Sequence, residues 1–217
     1  MSNVTLKKHT LVTEMNYIEL VVAWSLAVGF GLTTAAIMGG PALLNPGVAL
    51  GQVIFNGMTV TDGLMYILME FLAAGAAVLV VWIFFYDGFR DDKESSKHGI
   101  FASTPVNKNI PFNALQEIIA TFMFLFIIFT CIKATSGDSA VLQTGVIGAL
   151  DLSLVSLTLN STGFSMNAMR SVFSSIWFAV LPIPNKNSKI DWKYQLTVNL
   201  VASTVGGILA VWAASLF

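Results

Sequence analysis

The sequence predicts an all-α membrane protein, and three observations support this fold class. First, 55% of the 217 residues are hydrophobic and only 11% are charged, which is not the composition of a soluble surface. Second, five apolar runs are long enough to cross the hydrocarbon core of a bilayer, about 30 Å thick, which needs roughly 20 helical residues. Third, two shorter apolar runs each begin with an asparagine. The lipid bilayer is therefore the expected solvent.

The five long runs are expected to be full transmembrane helices. Three of them contain an acid, namely Glu19, Glu70 and Asp151, and we expect these acids to make hydrogen bonds between helices, with proton transfer as the alternative role. The charged stretch from Asp87 to Lys97 is expected to be a solvated loop. The bounds of the runs are Tyr17–Met38, Leu64–Tyr86, Asn113–Ile132, Val141–Leu159 and Tyr194–Phe217.

The two shorter runs, Asn45–Phe55 and Asn167–Val180, are expected to be half-helices. A helix of about 11 residues covers only about 16 Å at 1.5 Å per residue. Each run follows a long run and a small turn, so the order helix, turn, asparagine, half-helix, helix occurs twice. The sequence thus predicts a first repeat at 17–87, a second at 112–217, and a polar N-terminal segment at 1–16. The second repeat has an additional helix in front, which the first repeat lacks.

An asparagine at the start of each half-helix predicts a polar constriction near the middle of the membrane. Irregular backbone at this depth is tolerated only where it is buried in protein or lines a water-filled cavity. Each half-helix begins with unpaired N–H groups and a partial positive charge. Asn45 and Asn167 could cap these ends with the side-chain oxygen and donate to a solute with the NH₂ group. Arg170 adds a fixed positive charge beside this path.

The residue types that serve enzymes and metal sites are scarce in this sequence. The single cysteine, Cys131, lies in an apolar run, so an intrachain disulfide and a thiolate metal site are excluded. The two histidines, His9 and His98, lie in polar segments, and no nucleophile–base pair or metal-ligand cluster is recognisable. The net charge of −1 gives no basic field for nucleic acid. We therefore expect no enzymatic activity, no cofactor or metal, and no nucleic-acid partner.

The two asparagine segments resemble the paired Asn-Pro-Ala boxes of the aquaporin and glycerol-facilitator family, the major intrinsic proteins. The first box reads Asn45-Pro46-Gly47 and the second Asn167-Ala168-Met169, and Arg170 is in register with the arginine of the family. The stretch Gly99–Pro105 is a further match. The resemblance spans about residue 17 to the end. It implies an aquaporin-like right-handed helical bundle with five full transmembrane helices and two re-entrant half-helices, with the first helix of the family apparently missing.

The resemblance also implies which residues line the pore. The asparagines would form its waist, and aromatic side chains with the arginine would form a selectivity filter. Such a filter favours small polyols, whereas Ser171, where glycerol facilitators usually have Asp, favours water. Glu117 would have a scaffold role and accept hydrogen bonds from the re-entrant loop. The implied residues are Asn45 and Asn167 at the waist, Pro46, Gly47, Ala168 and Met169 beside it, and Arg170, Phe164, Val155 and Trp24 in the filter.

The function implied by the resemblance is a passive transmembrane channel for water and small neutral solutes such as glycerol. The family implies a homotetramer in the lipid bilayer of the cell membrane. One alternative is a degenerate or N-terminally truncated member that does not conduct, because Ala168 and Met169 replace the usual residues of the second box. The other alternative is a proton-coupled secondary transporter that uses Glu70 or Asp151. Flux that depends on a pH gradient would distinguish this transporter from a channel.

Overall fold

The structure is a computed structural model, and its described residues form helices and connecting segments without a β-strand. The all-α class predicted from the apolar runs is confirmed. Most of the predicted polar segment 1–16 lies outside the described residues. The described residues are 5, 6, 8, 16–41, 43–134, 140–158 and 162–217.

Nine helices follow one another along the described part of the chain. Two of them contain a π-helical stretch, Met169–Phe173 in α8 and Gln195–Ala202 in α9. The helices are α1 (Tyr17–Ile37), α2 (Pro46–Phe55), α3 (Val60–Phe84), α4 (Tyr86–Asp91), α5 (His98–Phe101), α6 (Ile110–Ala134), α7 (Ala140–Thr158), α8 (Met169–Val180) and α9 (Trp192–Ser215).

Four of the described helices, α1, α3, α6 and α9, are long and apolar enough to cross a membrane. They correspond to four of the five predicted runs. The remaining run corresponds to α7, which has 19 residues and includes the polar side chains Gln143, Thr144 and Asp151. The two predicted half-helices are α2 and α8, both of which are too short to cross.

Helix α1 begins with a capping box. The Asn16 side chain accepts a hydrogen bond from the Glu19 backbone N–H (2.9 Å), and the Glu19 carboxylate accepts one from the Asn16 N–H (3.2 Å). This reciprocal arrangement satisfies two N–H groups at the helix start. Glu19 therefore bonds within its own helix terminus, and the expectation of an interhelical partner was wrong for this residue.

Each half-helix packs against a long helix. Helix α2 lies on α9, where a Cβ atom at Gly207 would be only 3.1 Å from the Cα of Gly47, so a larger residue at Gly207 would separate the helices. Helix α8 lies on α3, where the Trp177 indole donates to the Phe71 carbonyl (2.8 Å) and the rings of Phe71 and Phe173 are 5.4 Å apart. These contacts hold both short helices inside the bundle.

The segment between α3 and α6 docks onto α8 through His98. The His98 ring is buried, and its Nε2 is 2.8 Å from Ser175 Oγ. Because the Ser175 hydroxyl donates to the Ser171 carbonyl (2.6 Å), Nε2 of His98 is the donor in this pair. The backbone N–H of His98 donates to Ser188 Oγ (2.9 Å). The segment is thus tied to α8 and to the chain that follows it.

The charged stretch Asp87–Lys97 is only partly solvated. Lys97 is fully buried, and its ammonium donates to the carbonyls of Asp92 and Asn185, the latter at 3.0 Å. Arg90, by contrast, is exposed and pairs with Asp87 on the surface. The prediction of a solvated loop was therefore wrong for the end of the stretch, because the segment folds back onto the residues after α8.

We expect His98 to make the fold less stable in acid. Burial lowers the pKa of His98 from 6.5 to about 4. Between these values the unfolded state takes up a proton that the folded state does not. The contribution of His98 to the free energy of unfolding is therefore fully present above pH 6.5. It falls as the pH decreases towards 4, by up to about 3 kcal/mol. Thermal unfolding in detergent at a series of pH values measures this.

The variant His98→Gln should lose much of this pH dependence, because it removes the titrating ring. His9→Gln, which changes the other histidine of the sequence, is the matched control and should keep the dependence. An identical slope of Tm against pH in His98→Gln and in the unaltered protein would contradict the assignment.

Candidate functional site

A cavity of about 560 Å³ lies inside the bundle, and residues of α1, α6, α8 and the loops before both half-helices line it. Its wall is mostly apolar, with Leu32, Phe124 and Ile128 among the lining residues. The polar lining is provided by Asn45, Ser165, Asn167 and Arg170. A mostly apolar cavity with a few polar groups is typical of a site for small molecules.

A second cavity of about 300 Å³ adjoins the first, since Pro41, Phe129 and Ile132 line both. Its lining also includes Lys133, whose ammonium donates to the Ala214 carbonyl at the end of α9 (2.6 Å). The two cavities together extend the internal space from the asparagines to the ends of α6 and α9.

The two asparagines predicted at the waist hold each other's loops. Asn45 Nδ2 donates to the Met166 carbonyl (2.8 Å), and Asn167 Nδ2 donates to the Leu44 carbonyl (2.5 Å). Each side-chain oxygen caps its own half-helix by accepting an N–H two residues later, at 2.9 Å in both cases. Each NH₂ group has two hydrogens, so these bonds use one of the two.

The loop before α8 has a strained backbone. Phe164 and Met166 have φ values of 39° and 47°, in the left-handed region that residues with a side chain rarely adopt. Gly163 has φ 79°, and a Cβ atom there would be 2.6 Å from the Thr104 carbonyl oxygen, so only glycine fits. Such strain persists only where the surrounding structure determines it, often at functional sites.

Glu117 holds this strained loop in place. The residue is fully buried on α6. Its carboxylate accepts hydrogen bonds from the Ser165 N–H (2.9 Å), the Met166 N–H (2.8 Å) and the Thr162 hydroxyl (2.6 Å). A buried carboxylate that accepts several hydrogen bonds is a strong organiser of backbone, because hydrogen bonds to charged groups are stronger than neutral ones.

Three of the four residues predicted for the filter are in mutual contact. The Arg170 guanidinium carbon lies 3.7 Å from the centre of the Trp24 ring and 5.6 Å from that of Phe164. The two rings are 4.4 Å apart in an edge-to-face arrangement. Arg170 also donates to the Phe164 carbonyl (3.0 Å). Both rings can therefore attract the cation, and the three side chains form one cluster at the cavity wall.

The other predicted site residues occupy different positions. Val155 is buried in the apolar core that contains Phe164, but it is not among the residues that line the cavity. Met169 does line the cavity. The remaining predicted residues, Pro46, Gly47 and Ala168, are buried at the starts of the two half-helices.

Glu70 and Asp151, the acids considered for proton transfer, are both buried and do not line either cavity. Within the described part of the chain, neither oxygen of Glu70 has a hydrogen-bond partner, and Oδ2 of Asp151 has none. The expectation of an interhelical hydrogen bond was therefore wrong for Glu70 among the described residues.

Sequence reasoning missed Ser103, whose hydroxyl accepts a hydrogen bond from Arg170. It lies in the segment between α3 and α6, whose sequence signal is its match to the family. A guanidinium placed in a membrane needs acceptors, and this requirement was the available signal. It does not by itself indicate which part of the chain supplies them.

Comparisons with known proteins agree with this architecture. Residues 1–214 match the family described as Major intrinsic protein. Over 199 residues the chain is 34% identical to "Glycerol uptake facilitator protein 2" of Lactiplantibacillus plantarum, which covers 90% of this chain and 82% of that relative. It is 28% identical over 202 residues to "Glycerol uptake facilitator protein" of Streptococcus pneumoniae, with 93% and 84% covered.

Among solved structures, the aquaglyceroporin from Plasmodium falciparum matches with a TM-score of 0.81 at 21% identity. The match covers 99% of this chain and 88% of that chain. It shows that the fold is the aquaporin-like helical bundle.

We expect Glu117→Leu to destabilise the protein strongly. The substitution leaves two backbone N–H groups and one hydroxyl buried without their acceptor, at a cost of about 1–3 kcal/mol for each group. Thermal unfolding in detergent measures the loss. Glu94→Leu changes an exposed carboxylate and is the matched control. An equal Tm for both variants would show that the carboxylate of Glu117 does not hold the loop.

Proposed function

The chain belongs to the major intrinsic protein family, and from this premise we propose that its cavity is the pore, with Asn45 and Asn167 at the waist. The protein is a passive membrane channel for water and small neutral solutes such as glycerol. The observation that carries the proposed site is the pair of crossed hydrogen bonds between the asparagine side chains and the opposite loops.

The waist acts by donating hydrogen bonds from fixed positions. One hydrogen of each Nδ2 is used on the opposite loop, and the second is directed to a passing water or hydroxyl oxygen. Helices α2 and α8 both begin here, and their N-termini add positive potential. Cations are therefore repelled at the point where neutral oxygen atoms are favoured. Pro46, Gly47 and Ala168 shape the backbone beside the asparagines, and Met169 contributes to the wall.

The filter is assigned to Trp24, Phe164 and Arg170, with Val155 behind them in the core. The aromatic rings offer apolar faces to the carbon atoms of a polyol, and the guanidinium offers donors to its hydroxyl groups. The contact of all three side chains at the cavity wall supports this assignment. Glycerol fits this chemistry, and the two relatives named as glycerol uptake facilitators agree with it.

We also propose the division of the chain into a polar segment 1–16 and a channel domain 17–217 with repeats at 17–87 and 112–217. The packing of α2 on α9 and of α8 on α3 supports it, because each half-helix packs on a long helix of the other repeat. By resemblance to the family, the channel is a homotetramer in the plasma membrane. Native mass spectrometry in detergent tests the tetramer, and a monomer alone would contradict it.

Purified protein in liposomes tests the channel directly. Stopped-flow light scattering should show faster shrinkage than empty vesicles under an osmotic gradient, and faster re-swelling in glycerol. Neither rate should change when a pH gradient is imposed, because passive conduction needs no proton. Rates equal to those of empty vesicles would favour the non-conducting alternative. Flux that collapses with the pH gradient would favour the proton-coupled transporter.

Met169→Ala should increase solute flux. Met169 lines the cavity beside Asn167, and the shorter side chain widens this part of the wall. We expect the glycerol rate to rise at least about twofold, because conduction depends on the width of the constriction. The same stopped-flow assay measures it. Met123→Ala is the matched control, because Met123 lies exposed on the outer face of α6. An unchanged rate in folded Met169→Ala would show that this side chain does not limit the pore.

A further inference from the structure

Arg170 makes its hydrogen bonds to neutral groups. In the described part of the chain its guanidinium donates from Nη1 to Ser103 Oγ and to the Phe164 carbonyl, and no carboxylate lies within 4 Å as an ion-pair partner. The Trp24 ring covers one face of the group. An arginine side chain has several rotatable bonds, so these few contacts determine where its charge is placed.

Ser103 is the end of a chain of hydroxyl groups. Ser165 Oγ donates to Ser171 Oγ (2.7 Å), and Ser171 Oγ donates to Ser103 Oγ (3.2 Å). The Ser103 oxygen therefore receives two donors, one from Ser171 and one from Arg170. The contacts with Ser171 and Arg170 together restrain the Ser103 hydroxyl, and with it the direction of the Arg170 hydrogen bond.

The backbone of Ser103 is fixed as well. Its carbonyl accepts hydrogen bonds from Gln195 Nε2 (3.0 Å) and Asn199 Nδ2 (3.2 Å), both of which are buried on α9. Gln195 also orients Asn199, because Asn199 Nδ2 donates a hydrogen bond to Gln195 Oε1 (2.8 Å). Ser103 is thus anchored to α9 by its backbone and to α8 by its hydroxyl, while it lies on the segment between α3 and α6.

We propose that Ser103 is a positioning residue for Arg170 and thereby sets the solute selectivity of the channel; this rests on the proposed role of Arg170 in the filter. The Ser103 hydroxyl pulls the guanidinium from one side, and the Trp24 ring attracts it from another. Without the hydroxyl the group settles further onto Trp24. The space beside the guanidinium then narrows, which hinders solutes with a carbon skeleton more than it hinders water.

The test is the ratio of glycerol to water permeability in proteoliposomes. Ser103→Ala should lower this ratio at least about tenfold, the order expected for losing a hydrogen bond to a charged group. Ser103→Thr keeps a hydroxyl and should restore the ratio. Ser153→Ala is the matched control, because among the described residues the Ser153 hydroxyl donates to the Ala149 carbonyl of its own helix. A ratio equal to that of the unaltered protein in Ser103→Ala overturns the proposal.

A double-mutant cycle with Arg170→Ala separates positioning from a general structural role. If Ser103 acts through Arg170, Ser103→Ala has no further effect on the ratio in the Arg170→Ala background. An equal effect in both backgrounds overturns the proposal. If Arg170→Ala itself leaves the ratio unchanged, the proposed filter fails. If Arg170→Ala changes the ratio and Ser103→Ala does not, only the role of Ser103 fails.

Ser171→Ala keeps the test decisive if Ser103→Ala does not fold. It removes the second donor to Ser103 Oγ and the acceptor of the Ser103 backbone N–H (3.4 Å), while the side chains of Ser103 and Arg170 stay unaltered. The ratio should fall in the same direction by a smaller factor. An unchanged ratio in folded Ser171→Ala overturns the proposal, because the hydroxyl chain would then have no influence on the guanidinium.

Discussion

Backbone N–H groups inside a membrane must find their acceptors within the protein, and the rest of this structure depends on that constraint. Two helices begin in the interior of the bundle, so several N–H groups lie where neither lipid nor bulk water can provide a hydrogen-bond acceptor. Asn45 and Asn167 each accept one of these groups, and Glu117 accepts two more from the loop before α8. The positions of these three side chains therefore determine where the two helices can begin inside the bundle.

The same groups that satisfy the backbone also perform the proposed chemistry. An asparagine amide has an oxygen that caps its helix, one hydrogen that binds the opposite loop, and one hydrogen that remains for a solute. At each half of the waist, one asparagine side chain therefore contributes both to the stability of the fold and to recognition of the solute. The strained residues Phe164 and Met166 also contribute to the site. The Phe164 carbonyl accepts a hydrogen bond from Arg170, and the Met166 carbonyl accepts one from Asn45.

Local signals predicted the short helices closely. Asn45 followed by Pro46 is both a cap and a preferred first-turn residue, and α2 begins at Pro46 and ends at Phe55 as the apolar run indicated. Contact of Trp24 with Arg170 was expected from family resemblance and could not follow from periodicity. The role of Ser103 was not predictable, because it depends on how a polar connecting segment docks on two distant helices. Buried Lys97 in the same segment was missed for the same reason.

The contact between Trp24 and Arg170 bears on the speed of transport. The charge of Arg170 is already partly satisfied by the ring, the Phe164 carbonyl and the Ser103 hydroxyl. A hydroxyl-bearing solute that reaches the guanidinium therefore exchanges one set of contacts for another and gains only the difference. Weak net binding is what a conducting site requires, since a solute held tightly would not leave. As the proposed filter, the cluster thus combines recognition of the solute with rapid release.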